Sequence, residues 1–166
     1  MKRQTGFFKT VAQLAGIIEL LIRRHPRGFH ILLGEESPPS VEEVHELLCT
    51  VRAPLPIDFK PTMRNDNTTA QAKIFDMDFF ESVIKNAGGW EHINEIAQEF
   101  KAASPRYWGI VIDHVKFVEA RHERYKSKLN FLVAKYKVCA NTIMKYRREF
   151  PERLAEAILM TPGDTH

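Results

Sequence analysis

The chain has 166 residues, 44% of them hydrophobic and 27% charged, which suits one compact domain, or two small helical ones, with a real core, and excludes disorder as the main state. Its apolar runs, such as residues 17–22, are interrupted by Glu19 and end at Arg23 and Arg24, far short of the roughly 20 residues a membrane span requires, so the chain is expected in the cytoplasm without a membrane partner. The net charge of +3 is unevenly spread: residues 121–148 carry nine basic residues against Glu123 alone, a local +8 that leaves −5 for the other 138 residues, the pattern of a polyanion-binding surface on a mildly acidic body.

The N-terminus starts basic but has no clean apolar stretch or small-residue cleavage site, and it reads as mature protein. Phe7, Phe8, Val11, Leu14, Ala15, Ile18, Leu21 and Ile22 then recur at three- and four-residue steps, which predicts an amphipathic helix ended by His25-Pro26-Arg27-Gly28. Its stripe is expected to be a core face, the alternative being part of a dimer interface. Residues 29–33, FHILL, suit a short strand or a buried turn. Ser40 is the expected N-cap of a second helix carrying Val41, Val44, Leu47, Leu48 and Val51, with Glu42 and Glu43 in its first turn.

From residue 53 to 69 three prolines and an Asn/Asp/Thr cluster predict a linker. It divides the chain into a helical interaction or oligomerisation region, residues 1–60, and a helical DNA-binding domain, residues 70–166. The next helix starts near Asp76 or Asp78, carries Phe79, Val83 and Ile84, and ends at Gly88-Gly89, where one glycine can take a left-handed cap. Ile93, Ile96, Ala97 and Phe100 mark another helix. Pro105 opens a further one, whose inner side is Trp108, Ile112, Val115 and Val118 or Phe117. The fold class expected is all-α, a multi-helix domain ending in a helix-turn-helix.

That motif is expected at about residues 129–150. Val133 or Ala134 takes the position where the two helices cross, Val138 follows the turn, Ile143 comes five residues later, and Tyr146 stands one turn on. Leu129 and Leu132 complete the inner face of the first helix. Asn141, Thr142, Lys145, Arg148 and Met144 then project from the second helix, and Arg147 counts with them as an expected DNA-binding residue. These residue types suit a major groove, since Asn reads adenine and Lys or Arg reads guanine or holds phosphate. Lys135, Arg121, Arg124, Lys126 and Lys128 are the expected phosphate contacts, and Lys137 is a further expected DNA-binding residue. Lys137 occupies the turn position where glycine is usual and would have to adopt a left-handed or irregular conformation, while Cys139 and Ala140 stand where Ser or Thr commonly caps. A terminal helix, residues 151–159, is expected to begin with Pro151 in its first turn and to fold back through Leu154, Ile158 and Leu159.

The run LVAKYKVCANTIMKYRREFPERLAEAI resembles the C-terminal part of helix-turn-helix transcriptional regulators of phage and bacteria, of the sigma-region-4-like kind. The resemblance covers about 30 residues and implies a recognition helix followed by a short terminal helix. A weaker echo of such a motif, with an extra residue in its turn, lies at EIAQEFKAASPRYWGIVI, residues 95–112.

No catalytic constellation stands out. His45 lacks the second histidine of HExxH, and the pairs Asp76/Asp78 and Asp113/His114 diverge on a helix. His114 and His122 lie two turns apart without a third ligand, and Gly88-Gly89 lacks a phosphate-binding frame. Cys49 and Cys139 have no CxxC or adjacent Cys/His pair, so both are expected to be small apolar fillers, with no metal and no cofactor. The function expected is sequence-specific binding of double-stranded DNA by a transcriptional regulator and not an enzyme. It would act as a dimer and contact RNA polymerase or another protein through residues 1–60. The alternatives are a protein-interaction adaptor or anti-sigma-like module with a basic surface, and a DNA packaging or replication accessory factor.

Overall fold

The computed structural model describes residues 2–49, 77–119 and 125–161. These residues form eight α-helices and one π-helical segment, with no strand among them. The predicted linker, Val51, Arg121 and Arg124 lie outside the described residues.

The apolar stripe at the N-terminus becomes α1, Lys2–Arg24, and from Val11 to Ile22 it is buried in the core of its own chain. Over those residues the stripe is the core face expected, while Phe7 is half-buried and the Phe8 side chain lies outside the described set. FHILL is helical instead of a strand, forming α2, Gly28–Leu33. A Cβ on Gly28 would stand 2.0 Å from the Leu21 carbonyl oxygen, so only glycine allows α2 to turn back onto the end of α1. So short a helix is marginal alone. Its terminal carbonyls find donors far along the chain: Asn94 Nδ2 donates to Ile31 and Leu32, both at 2.8 Å, and Gln98 Nε2 donates to Leu33 at 2.5 Å.

The helix expected after Ser40 is α3, Val41–Cys49. Glu43 N–H donates to Ser40 Oγ at 3.1 Å and Ser40 N–H donates to Glu43 Oε1 at 2.9 Å, a reciprocal capping box. Glu43 also meets His25 Nε2 at 3.3 Å and Arg27 Nη2 at 3.2 Å, which ties α3 to the corner between α1 and α2. The Ser40 amide, joined by His25 and Arg27, holds the Glu43 carboxyl below its usual range.

Beyond the linker, α4 spans Met77–Asn86 and turns Phe80 inward with Val83 and Ile84, leaving Phe79 only partly buried. Gly88 and Gly89 both have positive φ, 104° and 86°, as the expected left-handed cap requires. Next come α5, Gly89–Ala103, and α6, Pro105–Asp113, with Pro105 in the first turn; the π-helical segment His114–Glu119 extends α6. The last two helices are α7, Tyr125–Tyr136, and α8, Ala140–Met160.

One core draws on both sides of the linker, since Leu14, Ile18, Phe29 and Leu47 share it with Val83, Ile96, Trp108, Phe150 and Leu154. The described helices ahead of the linker thus share this core with those after it, and α1 lies along α8. At the centre, Trp108 and Phe150 meet edge to face with ring centroids 5.3 Å apart, and Phe29 and Phe100 close around them. Burying each such side chain is worth about 1.5–3 kcal/mol, so this cluster is a principal reason that α2, α5, α6 and α8 converge.

No new helix begins at Pro151. It sits inside α8, buried in the same stripe as Phe150, Leu154, Ala155 and Ile158. A proline inside a helix costs about 3 kcal/mol. Here burial of the whole stripe outweighs that cost and keeps the helix continuous.

Candidate nucleic-acid interface

A second, smaller cluster organises the region ahead of the long helix. Ile110 of α6, Val118 of the π segment, Leu129 and Leu132 of α7 and Ile143 of α8 are buried together, with Val133, Tyr136, Val138 and Tyr146 packed against them. Of the two candidates for the crossing position, Val133 is half-buried and Ala134 exposed. Three residues, 137–139, join α7 to α8. Lys137 has φ of 57°, the left-handed one of the two conformations expected, and its N–H donates to the Val133 carbonyl at 2.8 Å. It is the one non-glycine residue with positive φ among those described. Cys139 occupies the N-cap in extended conformation and contributes no side-chain cap.

The end of α7 is fastened to α6. Arg106 Nη2 donates to the Tyr136 carbonyl, Tyr136 O–H donates to Asp113 Oδ2 at 2.5 Å, and Lys135 Nζ donates to the same oxygen at 2.8 Å. Lys135, predicted to hold phosphate, is thus engaged by a carboxylate, which raises its pKa above the usual lysine value. Burial raises the Tyr136 hydroxyl, and the bond to Asp113 adds to it.

On α8, helical geometry sorts the predicted residues into two faces. Asn141, Met144, Lys145 and Arg148 are exposed and follow steps of three, one and three, which puts them on one stripe beginning at the turn. Thr142 is half-buried, its Oγ1 hydrogen-bonded to Cys139 Sγ at 3.1 Å. Arg147 does not join the stripe. It stands four residues after Ile143 and three before Phe150, on the buried face, with its guanidinium forked onto the carboxylate of Glu19. The desolvated guanidinium cannot serve as a DNA contact while the pair is intact. Lys137 is exposed and Lys128 half-buried. Lys126 lies in α7, but its side chain, like Arg121 and Arg124, is outside the described set.

Cys139 is not an apolar filler. It is exposed and unpaired as a thiol, and the Thr142 hydroxyl and amide hold it below the usual thiol pKa. The weaker echo at residues 95–112 forms a core corner, with α5 and α6 separated by Ser104 alone and Trp108 at 1% exposure in the aromatic cluster.

Glu19 and Asp113 are the residues that sequence reasoning missed. Each left a signal: Glu19 falls on the apolar stripe of α1, and Arg147 keeps the spacing of the buried stripe of α8, so each needed a buried opposite charge. Among the described residues no helix is long and apolar enough to cross a membrane, and no group of three or more His, Cys, Asp or Glu could hold a metal ion. No protein-family model, curated protein or solved structure matches the chain.

Proposed function

We propose that this protein binds double-stranded DNA sequence-specifically, as a transcriptional regulator does, with the first turns of α8 in the major groove and α7 crossing above it in a helix-turn-helix. The observation that carries this reading is the exposed stripe Asn141, Met144, Lys145 and Arg148, which starts at a left-handed turn and is backed by the small cluster around Ile143. Asn141 is suited to pair bidentately with adenine, Lys145 and Arg148 to take guanine or phosphate, and Met144 to touch a thymine methyl. Lys128 and Lys137 serve the backbone, where counterion release supplies sequence-independent affinity. One such helix reads only a few base pairs, so two copies on adjacent half-sites are expected, joined through a surface other than the stripe of α1.

Selection from random duplex DNA at low salt tests the proposal. Enrichment of a common sequence is expected, and absence of any binding at low salt would refute it, because the electrostatic contribution alone should give weak affinity.

A second reading, as a protein-interaction module, is favoured by Phe131, which is 59% exposed on α7 and has Lys128 and Lys135 on neighbouring turns. Capture of an acidic protein that is lost with Phe131→Ser, together with indifference to duplex DNA, would favour that reading over the first.

A further inference from the structure

Arg147 lies between Lys145 and Arg148 in the basic run, yet its guanidinium points away from solvent into α1. Nη1 donates to Glu19 Oε1 at 2.8 Å and Nη2 donates to Glu19 Oε2 at 2.6 Å, with only 9% of the arginine side chain and 4% of the glutamate side chain exposed. Two parallel, charge-assisted hydrogen bonds of this kind fix direction as well as distance.

Such a pair is a poor source of stability, because removing both ions from water costs several kcal/mol each and offsets most of their attraction. Apolar residues of similar volume would hold α1 and α8 together as well. They would not hold α8 at one rotation, since an aliphatic contact changes little when a helix turns or slides slightly, whereas a planar fork loses both bonds. The difference matters at this place. Successive residues of a helix are separated by about 100° around its axis, so even part of a residue's rotation would turn Asn141, Lys145 and Arg148 together away from the base edges they face.

We infer that Glu19 and Arg147 are positioning residues for base reading: the buried fork sets the rotation and axial register of α8 against α1, and thereby aims the exposed stripe at base edges. This rests on the proposal that α8 reads DNA. It adds that α1, which contributes none of the reading residues, determines how selectively they read.

The test uses the full chain, the duplex enriched by selection and a scrambled duplex of equal length. Four proteins are compared: the native chain, Glu19→Leu with Arg147→Met together, Arg147→Lys, and Lys145→Ala. The double variant is expected to melt at or above the native temperature while its preference for the selected duplex falls about tenfold or more, equivalent to ~1.4 kcal/mol, with affinity for the scrambled duplex unchanged. Arg147→Lys keeps the charge without the fork and should lose part of the preference. A folded double variant with native preference overturns the inference. If the double variant fails to fold, native preference in Arg147→Lys overturns it. Lys145→Ala separates the two ideas: if it alone lowers preference, α8 reads DNA without needing the fork, and if it too leaves preference unchanged, the reading by α8 falls and the positioning role falls with it.

Discussion

Along α8, the stripe of Ile143, Arg147, Phe150, Leu154 and Ile158 is closed by partners from the rest of the chain, while Asn141, Met144, Lys145 and Arg148, interleaved with it in sequence, meet solvent. Ile143 is held in the small cluster, Arg147 by Glu19, and Phe150 by the aromatic centre. The lesson is that adjacent basic residues can have opposite tasks. Lys145 and Arg148 are available to a ligand, and Arg147 is committed to the fold. Substitutions on the two faces should therefore fall into separate classes, one altering stability and the other altering recognition.

The largest effect is expected from Phe150→Ala, which removes the ring shared by Trp108, Phe29 and Phe100. Chemical denaturation should show a loss of about 3–5 kcal/mol. Arg147→Met alone should come close behind, about 3–5 kcal/mol, because it leaves the Glu19 carboxylate buried without its partner. A loss below ~1 kcal/mol, the value of exposed pairs, would show that water reaches the Arg147–Glu19 pair.

Lys137→Gly should act in the opposite direction. A side chain at φ of 57° carries left-handed strain of about 1–2 kcal/mol, and the greater freedom of glycine in the unfolded chain returns part of it. A gain of roughly 0.5–1 kcal/mol is expected, read as a higher urea midpoint with unchanged slope.

The smallest effect, with no pH dependence near neutrality, comes from Tyr107. Burial pushes its hydroxyl from 10.0 up to about 12, against the opposing pull of Arg153. Because the folded state holds this proton more tightly, its contribution to stability is complete below the unfolded pKa, near 10, and is lost as pH rises through about 12. An ultraviolet tyrosinate titration of the native chain against Tyr107→Phe should lose one late-ionising group. Loss of a group ionising near 10 instead would contradict the burial described for it.

Periodicity made most of the fold legible. The stripe of α1, the Ser40 cap and the left-handed glycines after α4 all depend on residues close together in sequence, and so does the turn at Lys137. The failures have a common physical cause. FHILL is helical because Asn94 and Gln98 complete its hydrogen bonds, and Pro151 stays within α8 because a buried stripe runs through it. Neither influence is local. Arg147 and Lys135 were grouped with the other basic residues because charge counting ignores direction, and their carboxylate partners lie on α1 and α6. Asn141, Lys145 and Arg148 share an exposed face because the step from 141 to 148 is two helical turns, whereas Thr142, expected beside them, is half-buried.

Base reading by α8 is tested most directly by titrating Asn141→Ala, Lys145→Ala and Lys128→Ala against the selected and scrambled duplexes at two salt concentrations. Asn141→Ala and Lys145→Ala are each expected to lose about 1–3 kcal/mol on the selected duplex and far less on the scrambled one. Lys128→Ala should weaken both duplexes alike and make the salt slope shallower by about one unit. Equal losses on both duplexes for all three variants would contradict base reading by the exposed face of α8, even in a protein that binds DNA.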